Sequence, residues 1–199
     1  MSLHLVLASG SATRAELLQR ARIDLEVVPP RVDEDAVKSA LIAESAKPRD
    51  IADCLAEMKS RKVSEQMPDA LVLGCDQVLD LEGKILSKPE TPERCVEQLV
   101  QLSGRRHQLL SAAVICVGAQ PVWRHVGTAR LGMHDLSEDF IKGYVDRNWE
   151  SVRHSVGGYK LEEEGVRLFK FVEGDFFHVL GLPLLEILGY LVLRGELEI

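Results

Sequence analysis

The opening of the chain constrains its fold most. An apolar run at residues 3–8, Leu-His-Leu-Val-Leu-Ala, breaks at Ser9-Gly10-Ser11 and passes at once into helical periodicity. The run has the pattern of a short buried strand. Leu17, Leu18 and Ala21 then share one helix face, with Ser11 placed as the N-cap and Thr13 and Glu16 spaced as a capping box. A strand, a small-residue loop and a helix start aim several backbone N–H groups at one point, a ready site for an anion. Arg14 in the first turn opposes the helix dipole, which an anion nearby would explain. An ordinary strand-to-helix turn with a solvated arginine fits the same fragment. No Gly-Lys-[Ser/Thr] follows, so this is not a Walker A loop.

Strand and helix signals then alternate irregularly. Residues 25–28 read as a strand stopped by Pro29-Pro30, and residues 48–65 as a helix with Ile51, Leu55 and Met58 on one face. Residues 70–74 form a buried-type strand that 77–81 continue to a turn at Glu82-Gly83-Lys84. A helix fits 92–102, and 108–117 with 122–131 form a hairpin. Ser137 caps a helix to about residue 146, residues 166–172 read as a strand, and Pro183 at N1 opens a final helix. The mixture predicts an α/β fold with a mixed sheet rather than a purely parallel one.

At 199 residues, the chain suits one domain or one domain with two lobes. Its 24 Lys+Arg against 31 Asp+Glu leave a net charge of −7, which argues against broad nucleic-acid binding. An anionic ligand must therefore meet a local cluster of basic groups. Cysteines 54, 75, 95 and 116 form no Cys-x-x-Cys pair and read as free thiols in a reducing compartment. The apolar run at 180–193 contains Glu186 and falls short of the ~20 residues of a membrane span. The first residues lack the basic n-region of a signal peptide, so the expected location is cytoplasmic.

Several residue sets could carry chemistry. Asp76 follows the apolar run at 70–74, where α/β folds place metal-binding or proton-accepting carboxylates; a strand-ending Asp bonded to backbone N–H groups fits equally well. Lys59 lies on the flank of its helix's apolar stripe, and Lys88 is held extended by Pro89. Each alone suits a solvated surface charge. Together with Arg14 they match the roughly −4 charge of a nucleoside triphosphate. The acidic sets Asp33-Glu34-Asp35 and Glu162-Glu163-Glu164 suit solvated loop faces, although some members could hold Mg²⁺. The six histidines show no HExxH or triad pattern, and no histidine chemistry is expected.

In their order along the chain these fragments resemble the Maf family of nucleoside triphosphate pyrophosphatases. The matching stretches are Leu-Ala-Ser-Gly-Ser at 7–11 with Arg14 and Glu16-Leu17-Leu18, Val32-Asp33-Glu34, and Leu55-Ala56 with Lys59. They continue with Gly74-Cys75-Asp76-Gln77-Val78, residues 83–89, Leu102-Ser103-Gly104 with His107, Val156-Gly157-Gly158-Tyr159, Glu173-Gly174-Asp175 and Gly181-Leu182-Pro183-Leu184. The resemblance implies a single α/β domain with a long bent mixed sheet and a cleft between two lobes, like inosine-triphosphate pyrophosphatases. It implies hydrolysis of a nucleoside triphosphate to the monophosphate and pyrophosphate with a divalent cation, Mg²⁺ or Mn²⁺, and commonly a homodimer. Carried over by position, Asp76 is the proton acceptor and Glu34 holds metal with it or positions water. Lys59 and Lys88 offset triphosphate charge, and Ser9 and Arg14 bind phosphate.

Three departures bear on substrate. Ser11-Ala12-Thr13-Arg14 stands where many members read Ser-Pro-Arg-Arg, Asp76-Gln77 where many read Asp-Thr, and Glu162 where many carry Gln. Gln77 and Glu162 resemble the branch that cleaves 7-methyl-GTP rather than the one acting on dTTP and UTP. A Glu can accept from the guanine N1–H and N2–H₂ edge and favours the positive charge of the methylated ring. Thr13 stands where that branch has a Trp that could stack on the base. A nucleotide-binding regulator of septum formation is the competing reading; retention of Asp76 and both lysines favours catalysis, since a pure binder needs no water-activating carboxylate.

Overall fold

The computed structural model describes residues 4–198. The start of the expected first strand at Leu3, and the N-terminal residues read against a signal peptide, lie outside the described residues.

Strand β1 (Leu5–Ala8) leads into helix α1 (Ala12–Arg20), followed by β2 (Leu25–Val27), α2 (Glu34–Ala43) and α3 (Pro48–Ser64). Strand β3 (Leu71–Leu81), the short β4 (Lys84–Leu86) and α4 (Pro92–Leu102) come next. The long strands β5 (Arg106–Val117) and β6 (Gln120–Met133) precede α5 (Glu138–Val152), β7 (Phe169–Glu173), α6 (Phe176–Val179) and α7 (Leu184–Leu193). The seven strands form one sheet in the order β2-β1-β3-β5-β6-β7, with β4 on β3. Strand β1 pairs in parallel with β2 and β3, and the remaining pairs are antiparallel. The expected single α/β domain with a mixed sheet is borne out. Among the described residues, no helix is long and apolar enough to cross a membrane.

Strand β3 sits inside the sheet, so both its faces need cover. Its odd residues Leu71, Leu73 and Cys75 enter a core with α1 and α7, and Leu79 and Leu81 enter a second core with α4 and α5. Between the two cores a row runs across the sheet from Gln77 to its partner Ser111 and on to Gly127. Helix α6 closes this row, since the His178 carbonyl lies 3.0 Å from Gln77 Nε2 and 2.6 Å from Ser111 Oγ. The even residues of β3 face α3. Gly74 is essential there: a Cβ would collide with the carbonyl of Ala56 and with Ser60 of the helix. With no side chain in the way, α3 lies directly on the strand and brings Lys59 over its middle, at Asp76.

Several local expectations are corrected. Residues 166–168 belong to a 3-10 turn, Glu164–Leu168, and the strand begins at Phe169. Helix α5 continues six residues past the expected end at 146, because Val152 is buried in the second core. Pro183 is the N-cap of α7 and not its first turn. Thr13 lies inside α1 and caps nothing; Ser11 alone accepts from Arg14 N, at 3.4 Å. The acidic set at 33–35 is not a loop face. Asp33 accepts from Ala36 N at 3.0 Å and caps α2, with Glu34 and Asp35 in the dipole-favoured first turn. No residue of α2 is fully buried; Val37 and Leu41, one turn apart, are half-buried against the core beneath α3.

Substituting Gly74→Ala forces α3 off the sheet. Urea unfolding should show a loss of about 1–3 kcal/mol, the usual cost of overpacking a close backbone contact.

Candidate active site

The loop after β1 is built around Arg14. The Ser9 hydroxyl accepts from Ser11 N at 3.2 Å and from Arg14 Nη1 at 3.2 Å. Arg14 also donates from Nη1 to the Cys75 carbonyl at 3.0 Å and from Nε to the Gly181 carbonyl at 2.8 Å. These bonds tie the loop after β1 and the middle of β3 to the segment after α6. They also fix the guanidinium before any ligand arrives, which lowers the ordering cost of binding an anion.

Cys75 is the neighbour of Asp76, and β3 runs on to Leu81, so the expected strand-end acid lies in mid-strand, beside that cation. Lys59 is 6% exposed and reaches Asp76 Oδ1 at 2.7 Å and Glu34 Oε2 at 2.7 Å. A buried ammonium is retained only when such partners are present. The lysine is therefore not the solvated charge that its helical position also allowed. The pairing of Asp76 is with a side chain, not with the backbone N–H groups of a strand end. Lys59 engages one oxygen of each carboxylate and leaves the other available. Two hard oxygen donors from different elements, converging on a point where a cation already sits between them, are the donor type that Mg²⁺ or Mn²⁺ takes.

These groups line one cleft of about 1260 Å³, shared with Thr13, Gln77, Lys88 and Glu162. That volume exceeds the roughly 300–1,000 Å³ of a drug-sized site, so a nucleotide with its phosphates has room. The cleft thus gathers Ser9, Thr13, Arg14, Glu34, Lys59, Asp76, Gln77, Lys88 and Glu162, although not all on the same terms. Lys88 and Glu162 are exposed on its rim and form no ion pair among the described residues. Glu163 and Glu164, by contrast, are spent on structure. Glu163 accepts from Ser151 and Lys160; Arg147 and Asn148 hold Glu164 at about 2. The Gln77 amide N–H groups are also engaged internally, with Ser111 Oγ and the carbonyls of His178 and Val179 each 3.0 Å from Nε2. Gln77 positions the segment that receives Arg14, and its amide nitrogen has no donor left over for substrate.

One cleft residue escaped the sequence reading. Lys38 donates to Ser87 Oγ at 2.6 Å and lines the same cavity. Burial, more than any other influence, lowers its pKa, and the charge of Lys88 acts in the same direction against Asp76, Asp35 and Glu34. Lys38 falls four residues after Glu34, one helical turn on, so recognising α2 would have exposed it.

The far wall is set by Val156-Gly157-Gly158-Tyr159. Gly157 and Gly158 both adopt positive φ, 77° and 69°. This turn places Tyr159 OH 2.7 Å from His107 Nε2, in an aromatic cluster with Phe169. Burial pushes His107 down to about 4.

The fold is α/β, and its cleft gathers a carboxylate from the middle of β3, a buried lysine and a fixed arginine. Residues 4–193 match the family described as "Maf-like protein", and the chain belongs to that family. It is 62% identical over 198 residues to a protein of Ruegeria pomeroyi named nucleoside triphosphate pyrophosphatase, covering 100% of both chains. It is 59% identical to a protein of the same name from Roseobacter denitrificans, over 97% of each chain. A third relative so named, from Caulobacter vibrioides, is 45% identical over 97% of this chain and 96% of its own. Among solved structures it is similar to a HAM1 protein from Coxiella burnetii, with TM-score 0.46 and 19% identity, covering 66% of this chain and 73% of that one. At that distance nothing about chemistry transfers.

The His107 environment has a consequence for stability. The unfolded chain takes up this proton near pH 6.5 and the folded chain only near 4, so stability from this residue is complete above pH 6.5 and falls as pH drops toward 4. Comparing urea unfolding at pH 7 and pH 4, wild type should lose about 3 kcal/mol more than His107→Asn.

Proposed function

We propose that this chain hydrolyses a nucleoside triphosphate to the monophosphate and pyrophosphate. The observation that carries the reading is the Asp76–Lys59–Glu34 bridge, 2.7 Å on each side, in the same cleft as the fixed Arg14. The names of the three relatives support it. Water attacks the α-phosphorus, a new P–O bond forms, and the bond from that phosphorus to the α–β bridging oxygen breaks to release pyrophosphate. The water proton passes to Asp76, whose Oδ1 is held by Lys59 and whose other oxygen is available to accept it. Arg14, the Ser9–Ser11 loop that it braces, Lys38 and Lys88 bind and orient the phosphates. Positioning and charge stabilisation of this kind supply most of the acceleration in phosphoryl transfer. Glu34 and Asp76 would hold a Mg²⁺ or Mn²⁺ ion, which when bound adds Lewis-acid stabilisation of the phosphate oxygens.

On the base side, we assign recognition to Glu162, the member of its acidic triplet that lines the cleft, whereas Glu163 and Glu164 are held in ion pairs. A carboxylate there suits the N1–H and N2–H₂ edge of 7-methyl-GTP and not a pyrimidine such as dTTP or UTP.

Asp76→Asn should lower pyrophosphate release by about 10²–10⁴ while triphosphate binding, measured by calorimetry, is retained. Turnover equal to wild type would remove Asp76 from the reaction; binding without pyrophosphate release by wild type would favour the regulator reading. In a panel of methylated and ordinary triphosphates, Glu162→Gln should cut the preference for 7-methyl-GTP over UTP by about tenfold or more, the worth of a charge-assisted hydrogen bond. Unchanged selectivity would place base reading elsewhere.

A further inference from the structure

Behind the cleft, on the face of the sheet that α6 covers, His125 of β6, His178 of α6 and Glu186 of α7 meet. Glu186 Oε1 lies 3.2 Å from His178 Nε2 and 3.5 Å from His125 Nε2. One ligand atom from each of the three lies within 4.8 Å of the others. With bonds of 2.0–2.1 Å, ligand atoms on a tetrahedral Zn²⁺ stand about 3.3 Å apart, so the two measured edges already have the required length. The fold makes room for the arrangement. Gly127 stands two residues from His125 on the same strand face, and a Cβ there would collide with the imidazole of His178. His178 is 7% exposed, whereas the His125 and Glu186 side chains are 36% and 30% exposed and leave a route from solvent.

We infer that His125, His178 and Glu186 form a second metal site, selective for a divalent transition ion of the Zn²⁺ class and distinct from the catalytic cleft. Two imidazoles with one carboxylate are the donors such ions prefer, while Mg²⁺ seeks oxygen ligands. The site leaves a fourth position for water. His178 Nδ1 is buried with no hydrogen-bond partner, so no outer acceptor strengthens this ligand. Outer partners are worth about 10–100-fold in affinity, so the ion is exchangeable rather than permanently bound.

The consequence is structural. His178 contributes its side chain to the ion and its carbonyl to Gln77 and Ser111, and three residues later Gly181 receives Arg14. An ion here clamps α6 to β6 and α7 and so steadies the far support of the phosphate-binding arginine. No motif announces the set, because its members come from three elements and 125 is far from 178 in sequence.

The test is a Co²⁺ titration of the full chain in excess Mg²⁺, read by visible absorption and by quenching of Trp123, which stacks on His125 at a centroid distance of 6.3 Å. Wild type should take one Co²⁺ with the intense absorption of a tetrahedral site, displaced by Zn²⁺. His125→Gln and Glu186→Gln alter partly exposed side chains and should keep the far-UV circular dichroism of wild type. Each should weaken Co²⁺ binding by more than about 100-fold, beyond an outer-partner loss. Asp76→Asn should bind Co²⁺ as wild type does. Absence of the signal in wild type, its retention in either of the first two variants, or its loss in Asp76→Asn would overturn the assignment. Because the readout is not turnover, failure here leaves the pyrophosphatase reading standing.

Discussion

A buried ammonium must find compensating charge, and Lys59 finds it in two carboxylates that no local interaction would bring together. Asp76 comes from the middle of the sheet and Glu34 from the first turn of a helix with no buried residue of its own. The lysine thereby does three things at once. It holds one oxygen of the acid, anchors the loosely packed α2 over the cleft, and brings Lys38 to the cavity wall. All three depend on α3 lying against β3 at backbone distance, which the bare Cα of Gly74 permits.

The sheet divides the remaining work. Its odd-numbered face carries two apolar cores with a polar row between them, Gln77 and Ser111 under the α6 carbonyls. Burying that row would be costly if its groups were unpaired; with every donor matched, it fixes where the two halves meet. Arg14 is suspended from the segment that leaves this row, so the geometry of the phosphate end is inherited from the junction of the cores. On the other wall, the Gly157-Gly158 turn and the engaged carboxylates Glu163 and Glu164 fix the backbone that leaves Glu162 exposed.

Much of this was legible in the residues. The strand–loop–helix at the start, the long apolar stripe of α3, the caps at Ser11 and Ser137 and the 92–102 helix all follow from local signals, because propensity, capping and periodicity act over a few residues. The misreadings are equally local in cause. Helix α2 was hidden because its apolar face is short, Val37 and Leu41 one turn apart and only half-buried, and residues 166–168 have a strand's composition but a 3-10 backbone. The position of Gln77 beside Asp76 was visible, while its bonds to Ser111 and α6 were not.

The sequence by itself determined the class: a mixed α/β chain, an anion cradle after the first strand, and a collinear set of charged residues matching one family. It could do so because these are properties of spacing and residue type. Only the tertiary structure decided which charges are partners. Lys59 is sealed between acids 25 residues before it and 17 after it, and three residues from separate elements converge at His125, His178 and Glu186. Coulombic and coordination energies depend on distance in space, and chain order carries almost no record of it.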